Sequence, residues 1–328
     1  MAGRGKRLEP LTLQRPKALL RLADMCLLDH VLSTFEPLAA SHSLEYIFIV
    51  GHLGEQIRAH MQAVHPAKKV TWFVQEKLLG QSCAVHIARE AVYGPILLTF
   101  CDTVNLIDLS FLPPRDAAAA ATVWPVENPE RFGVAALGSG DIITRLIEKP
   151  KTREHNSALT GIYYFSEGRD LIRSIETQLA SGATLNNEYY LADAINILIQ
   201  QGMRIRAVQA AGWLDAGTPG DLLQTNARLL QLQPDFNGLS KDDPSNILMP
   251  PIYIDASAEV SNSHIGPNVA VGKRCIIRDS TLSSCIVDDD TVITDSILEN
   301  SLIGRGCSIK GFSGHLLLGD DNCRAAVV

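Results

Sequence analysis

The sequence predicts an α/β domain with a mostly parallel, doubly wound sheet, followed by a second domain built as a parallel β-helix. Two patterns predict it. Up to residue 232, short runs of aliphatic and aromatic residues alternate with stretches of helical spacing. From Pro250 onward, aliphatic residues recur every five or six positions, at Ile254, Val260, Ile265, Val271, Ile277, Leu282, Val287, Ile293, Leu298, Ile303 and Ile309. That is a hexapeptide repeat, in which each coil buries its aliphatic side chains on the next. Residues 233–250, rich in Pro, Asp, Asn, Gly and Ser, read as a linker between domains at 1–232 and 251–328.

A chain of 328 residues is long enough for two cores. Its hydrophobic content of 46% and charged content of 20% describe a soluble globular protein. The net charge of -7 argues against nonspecific nucleic-acid binding. No apolar run reaches the roughly 20 residues that span a bilayer, and no apolar leader opens the chain, so a cytoplasmic protein without a membrane partner is expected. The seven cysteines include no C-x-x-C pair and are read as reduced thiols without a zinc site.

The first element is Gly3-Arg4-Gly5-Lys6-Arg7, where glycines alternate with basic residues. Glycine lets another group approach the backbone, and consecutive N–H groups in a turn make a concavity for anions. No Gly-Lys-Ser/Thr follows at Walker A spacing, and position 8, where a dinucleotide fingerprint has its third glycine, is Leu. Alone, the stretch reads either as a phosphate loop or as a flexible basic arm.

Residues 21–43 have helical spacing at Leu27, Leu28, Val31, Leu32 and Phe35, ending near Pro37. Tyr46–Val50 is a buried strand, a helix follows from Gly54 to about Val64, and Val70–Val74 is the next strand. Gln75 to Gly80 is a polar strand-to-helix loop whose amide can donate and accept at once. Pro95–Phe100 is a strand with Asp102 beyond its carboxyl end, where open α/β sheets bind ligands. The alanine-rich residues 115–121 predict helix. Strands follow at Thr122–Val126, Phe132–Leu137 and Ile142–Ile147, the last running into Glu148-Lys149-Pro150. Ala158–Phe165 is a strand, 187–195 opens a helix, and Leu222–Leu232 is another.

The run Gly3-Arg4-Gly5-Lys6-Arg7-Leu8-Glu9-Pro10-Leu11-Thr12, continued by Pro16-Lys17-Ala18-Leu19-Leu20, resembles the signature of the sugar-nucleotidyltransferases. The branch most similar in type is the glucose-1-phosphate thymidylyltransferases that carry a C-terminal left-handed β-helix. The resemblance implies a Rossmann-like nucleotidyltransferase domain acting on a nucleoside triphosphate and a sugar-1-phosphate, with Mg2+. It implies that Gly3, Arg4, Gly5 and Lys6 cradle the triphosphate, while Arg7 and Lys17 stabilise the reacting phosphates. Gln75 and Gly80 match the base-recognition segment. Asp102 and Asp215, the latter in Trp213-Leu-Asp215-Ala-Gly217-Thr218, match the metal-binding aspartates. Gly133, Glu148, Lys149, Gly161 and Tyr163 match the sugar-phosphate site, with the Glu148 carboxylate on sugar hydroxyls and the Lys149 ammonium on phosphate.

Departures from the family pattern are Cys101 where glycine precedes the metal aspartate, Ala216, Arg21 and Met25-Cys26. The family also places a buried strand before the glycine loop. Only Met1 and Ala2 precede Gly3 here, so a largely missing first strand is expected. For the β-helix, homo-oligomerisation or regulation is expected ahead of acyl transfer by His264 or His315. The preferred substrates are dTTP or UTP with glucose-1-phosphate. The alternative is a catalytically impaired regulatory paralogue that binds sugar nucleotides.

Overall fold

The structure, a computed structural model, describes residues 3–182, 184, 187–233, 244–322 and 325–326. The expectation about the first strand rests on Met1 and Ala2, which lie outside these, as does most of the expected linker. The chain divides into two compact units, Met1–Gly3 with Leu32–Trp213, and Arg4–Val31 with Leu214–Val328. The second unit therefore joins the glycine-rich segment to the region before and within the solenoid, whereas the sequence places its boundary after residue 232.

In chain order, β1 (Arg21–Leu22) and β2 (Met25–Cys26) form an antiparallel hairpin with Ala23 at positive φ in its turn. Next come α1 (Leu27–Ser33) and α2 (Glu36–Ala39). The single helix expected over 21–43 is thus corrected. Its apolar residues are buried, but the chain first makes the hairpin, and Pro37 sits in the first turn of α2, where its missing N–H costs nothing. Then follow β3 (Tyr46–Val50), α3 (Gly54–Val64), β4 (Val70–Val74), α4 (Gln81–Ile87), β5 (Ile96–Thr99) and β6 (Thr103–Leu106). Four strands and a helix follow: β7 (Ala119–Pro125), β8 (Gly133–Leu137), β9 (Ile143–Glu148), β10 (Ser157–Phe165) and α5 (Gly168–Ser181). Before the solenoid come α6 (Leu191–Gln200), β11 (Ile205–Gln209), β12 (Gly212–Asp215) and α7 (Pro219–Leu232).

In the first unit, β3 and β4 pair in parallel, and the crossover that this requires is α3. The larger sheet has the order β11-β7-β10-β8-β9, with β5 also on β10. Strands β7 and β11 are parallel. Strand β10 runs antiparallel to β5, β7 and β8, which the alternation of strands with helices did not reveal. Helices α4, α5 and α6 contribute Val85, Leu171, Ile175, Leu191 and Ile195 to the core against Phe165, Ile205 and the alanines of β7.

Those alanines are a second correction. Ala119, Ala120 and Ala121 are strand, not helix, and are almost wholly buried. Alanine favours helix by propensity. Here β7 lies between β10 and β11, and pairing on both edges outweighs a preference worth about 1 kcal/mol or less per residue.

In the second unit, Thr218 caps α7 by accepting a hydrogen bond from the Asp221 N–H at 3.2 Å. The solenoid is a parallel β-helix of three sheets, the shortest with four strands. Strands of successive coils pair residues 15 to 17 apart, fewer than three full hexapeptides. Ile265, Leu282 and Leu298 stack in one fully buried column, and Ile277 and Ile293 in another. Asn262, Asn268, Asp279, Asp290, Asp295 and Asn300 sit between strands at positive φ, a conformation that Asn and Asp tolerate best after glycine. Cys275, Cys285 and Cys307 are buried in the solenoid, and Cys26, Cys83 and Cys101 are half-buried. No helix among the described residues is long and apolar enough to cross a membrane. Of residues 323–328, only Ala325–Ala326 is described, paired antiparallel with Leu317–Leu318.

Candidate active site

From Arg4 onward the glycine-rich segment belongs to the second unit, and it is folded, not an arm. Gly5 has φ 66, in the left-handed region, and its carbonyl accepts from the Leu8 N–H at 2.8 Å and from Thr12 Oγ1 at 2.9 Å. A Cβ on Gly5 would stand 3.0 Å from the Thr12 methyl and 3.5 Å from Lys17 Cβ. Glycine is therefore what lets the first loop close on Thr12 and Lys17. Leu8 is fully buried and pins the turn Lys6–Leu8, leaving Arg4, Lys6 and Arg7 exposed. Lys17 opens a second short turn whose Ala18 and Leu19 are buried.

Arg7 and Asp215, far apart in sequence, converge in this unit. A Cβ on Gly217 would lie 3.1 and 3.2 Å from the two Asp215 carboxylate oxygens and 3.3 Å from Arg7 Nη2. The Asp215 carbonyl accepts from Thr225 Oγ1 of α7 at 2.5 Å. A guanidinium and a carboxylate thus flank a residue without a side chain, at the end of β12. Gly217 lies within the Trp213–Thr218 motif, in which the resemblance assigns a role only to Asp215. Its signal is that no other residue leaves this space open.

The first unit holds the remaining candidates. Gln75 is buried at the end of β4, where its N–H donates to the Val50 carbonyl at 2.8 Å and its Nε2 to the Gly80 carbonyl at 3.2 Å. Gly80 has φ 106, and a Cβ there would collide with the Tyr189 backbone at 2.4 Å. Tyr189 clasps the same loop, donating to Leu79 O at 2.9 Å and accepting from Ser82 N–H at 3.1 Å. Sequence reasoning found Gln75 and Gly80 but not Tyr189, because a backbone partner leaves no side-chain signature.

Gly133 pairs with Glu148 across β8 and β9. A Cβ on Gly133 would sit 3.0 Å from Glu148 Oε2, so the carboxylate lies over a bare backbone. Burial pushes the Glu148 carboxyl above its ordinary value. Lys149 opposes that shift, and Asp193 and Glu188 add to it. Lys149 is exposed at positive φ, its N–H donates to Phe132 O at 3.0 Å, and its ammonium lies 5.9 Å from the Tyr190 ring centroid. Gly161 has φ 94 at the irregularity in β10, and a Cβ there would press Phe100 at 3.0 Å. Tyr163 is in the core, 6.3 Å from Phe100 in an edge arrangement. Burial, and then the Glu148 charge, raise its phenol. Tyr163 is therefore a core residue with little open surface.

Asp102 is half-buried just beyond β5, beside half-buried Cys101. Asp102 in the first unit and Asp215 in the second are carboxylates, the donors that a hard divalent cation takes. The Asp215 oxygens, held beside a glycine that adds no bulk, suit that role. A cavity of about 690 Å³ lined by Arg115, Asp116, Asp170, Arg173 and Arg204 contains none of these residues. Its charges pair among themselves, Arg173 on Asp170 and Arg204 on Asp116.

Comparison with known proteins places this geometry in context. Residues 1–232 match the model of the nucleotidyl transferase family, and residues 248–319 match that of the GMPPB C-terminal domain. A glucose-1-phosphate thymidylyltransferase of Streptomyces antibioticus is 29% identical over 94% of this chain and 91% of its own length. The bifunctional protein GlmU of Methanocaldococcus jannaschii is 33% identical over 72% of this chain, which spans 55% of that protein. A Bacillus anthracis crystal structure, assigned as a glucose-1-phosphate thymidylyltransferase and holding sucrose, shares the fold. Its TM-score is 0.59 and its identity 23%, over 73% of this chain and 95% of that one.

Proposed function

Since the chain belongs to the nucleotidyl transferase family, we propose that it transfers a nucleotidyl group from dTTP or UTP to a sugar-1-phosphate, glucose-1-phosphate first, giving a nucleoside-diphosphate sugar and pyrophosphate. The observation that carries the reading is the convergence of Arg7 with Asp215 around Gly217. It joins a cation from the glycine-rich segment to a carboxylate from the motif at Trp213–Thr218, as handling of a metal-bound triphosphate requires.

A phosphate oxygen of the sugar-1-phosphate attacks the α-phosphorus, and the bond from that phosphorus to the bridging oxygen breaks. Pyrophosphate leaves with the electron pair. No covalent bond to the protein is needed, so the chain acts by positioning and by charge. Gly3, Arg4, Gly5 and Lys6 cradle the triphosphate. Arg7 and Lys17 neutralise charge that builds on the α-phosphate and the leaving group. Gln75 and the backbone at Gly80 read the base. Glu148 accepts from sugar hydroxyls above Gly133, Lys149 pairs with the sugar phosphate, and Gly161 and Tyr163 shape that side. Asp102 and Asp215 are assigned to Mg2+, which when bound draws electron density from the phosphate oxygens.

The test is pyrophosphate release with Mg2+ across dTTP, UTP, GTP, ATP and CTP, each against glucose-, N-acetylglucosamine- and mannose-1-phosphate. One clear active pair with dTTP or UTP supports the reading. Silence from folded protein that still binds sugar nucleotides overturns it in favour of a regulatory paralogue. Similarity of residues 248–319 to the GMPPB C-terminal domain concerns the solenoid and does not reorder the bases.

A further inference from the structure

Within the second unit, the segment that carries Arg7 and Lys17 is bolted to the solenoid by a buried ionic cluster. Arg15 is 2% exposed and Asp288 4%. Arg15 donates through Nη1 to Asp288 and through Nη2 to Asp320, with its Nε 3.2 Å from the second Asp320 oxygen. Arg21 reaches the same aspartate, Nε to Asp288 Oδ1 at 3.4 Å, and donates through Nη2 to Asp289 at 2.6 Å. Arg305, from the solenoid itself, lies 3.6 Å from Asp288 and 3.9 Å from Asp289. Three guanidinium groups thus meet three carboxylates.

The solenoid is shaped for this. A Cβ on Gly272 would strike Asp289 Oδ1 at 2.5 Å, and one on Gly304 would strike Asp320 Oδ1 at 2.6 Å. These corner glycines clear the space that the carboxylates occupy. Asp288 donates its own N–H to Ile303 O and accepts from the Asp289 N–H, both within 2.9 Å, so its carboxylate has a fixed direction. Lys17 lies between the two arginines in sequence, two residues after Arg15 and four before Arg21. Both flanks of Lys17 end on one buried aspartate.

Well-packed apolar side chains would hold two segments together at least as firmly as buried ions, whose advantage is a fixed geometry. The Arg15 fork matches carboxylates in one orientation only. We propose that Asp288 is a positioning residue for phosphate chemistry: through Arg15 and Arg21 it sets Lys17 and the loop ahead of it, which makes the solenoid part of the catalytic apparatus. This rests on the nucleotidyl-transfer reading for its effect on turnover, but not for its effect on the loop.

The experiment compares full-length wild type, Asp288→Asn and a solenoid control, Glu259→Gln, whose pair with Arg278 is exposed. Hydrogen exchange is read by peptide, and steady-state kinetics are read for both substrates. The expected result for Asp288→Asn is at least ~10-fold faster exchange in residues 5–20 with unchanged protection in 252–318. Turnover falls by about 10²-fold, the scale of a small misplacement, with KM for the sugar-1-phosphate unchanged. The control changes neither. Unchanged exchange in residues 5–20, or equal loss of protection in loop and solenoid, overturns the proposal. If Asp288→Asn does not fold, Arg15→Lys, which keeps the charge and loses the fork, is judged by the same criteria. A wild type without transfer activity sinks the functional reading alone, and the exchange comparison still decides the positioning role.

Discussion

The carboxylate of Glu148 lies over the bare backbone of Gly133, with Oε2 3.0 Å from the point where a Cβ would stand. The pair is in register across β8 and β9, so neither strand can move aside without losing its ladder. Gly133→Ala should therefore turn the carboxylate out of place while leaving the fold intact. The expected outcome is a rise of about 10-fold in KM for the sugar-1-phosphate, the scale of one misdirected hydrogen bond to a charged group, with KM for the nucleotide unchanged. A change confined to the nucleotide KM would count against the sugar role of Glu148.

Glu148 itself should show a trade of stability for function. Burial raises its carboxyl, so the folded chain prefers it protonated. For an acid shifted upward, the favourable contribution is full below the unfolded value of about 4.3 and is lost as pH rises through the folded value. At pH 7 the ionised group is a net strain on the free protein. Glu148→Gln should then melt slightly higher than wild type at pH 7 without ligand, while turnover falls about 10²-fold because a neutral amide oxygen is a weaker acceptor than the carboxylate and its NH2 group cannot accept. A lower melting temperature together with full activity would reverse both parts.

Gly80→Ala tests the clasp on the loop proposed to read the base. A Cβ at φ 106 is strained by itself, and this one would also meet Tyr189 backbone atoms at 2.4 and 2.5 Å. Neither can yield by a side-chain rotation. We expect a loss of about 1–3 kcal/mol in stability and a raised KM for the nucleotide. Denaturant unfolding and a nucleotide titration measure the two effects separately.

Asp215→Ala should reduce turnover by roughly 10²–10³, as loss of an electrostatic contributor does. Gly217→Ala should approach that loss without removing any charge, because its methyl would crowd both the carboxylate and Arg7. If Asp215→Ala kept near-normal turnover at every Mg2+ concentration, the metal assignment would fail.

Much of this architecture was legible because it is local. Tyr46–Val50 and Val70–Val74 are β-branched or aromatic throughout, and they form strands with the expected bounds. The solenoid declared itself through spacing alone. The hairpin at Arg21–Cys26 and the first residues of β7, Ala119–Ala121, were missed where tertiary pairing outweighed helical spacing and alanine propensity. In the site, Glu148 and Lys149 adjoin in sequence and could be read together. The tie between Arg15 and Asp288 spans 273 positions, and one sequence holds no sign of it. Tyr189 acts through its backbone, which any residue type supplies.

The ionic cluster also predicts how the protein responds to acid. Burial alone would push the Asp288 carboxyl upward, but the charges of Arg15, Arg21 and Arg305 outweigh burial and hold it below the ordinary carboxylate range. For an acid whose folded value is depressed, the stabilisation is present above the unfolded value, about 3.9, and disappears as pH falls through the folded value. Wild type should therefore melt well above Asp288→Asn at pH 7, and the gap should narrow as the pH drops below about 4, where the unfolded carboxylate takes up its proton first. Melting curves of both proteins from pH 7 to pH 2 check this. A gap that stays constant with pH would mean that Asp288 contributes through packing, and that its charge is not what holds the solenoid to the loop.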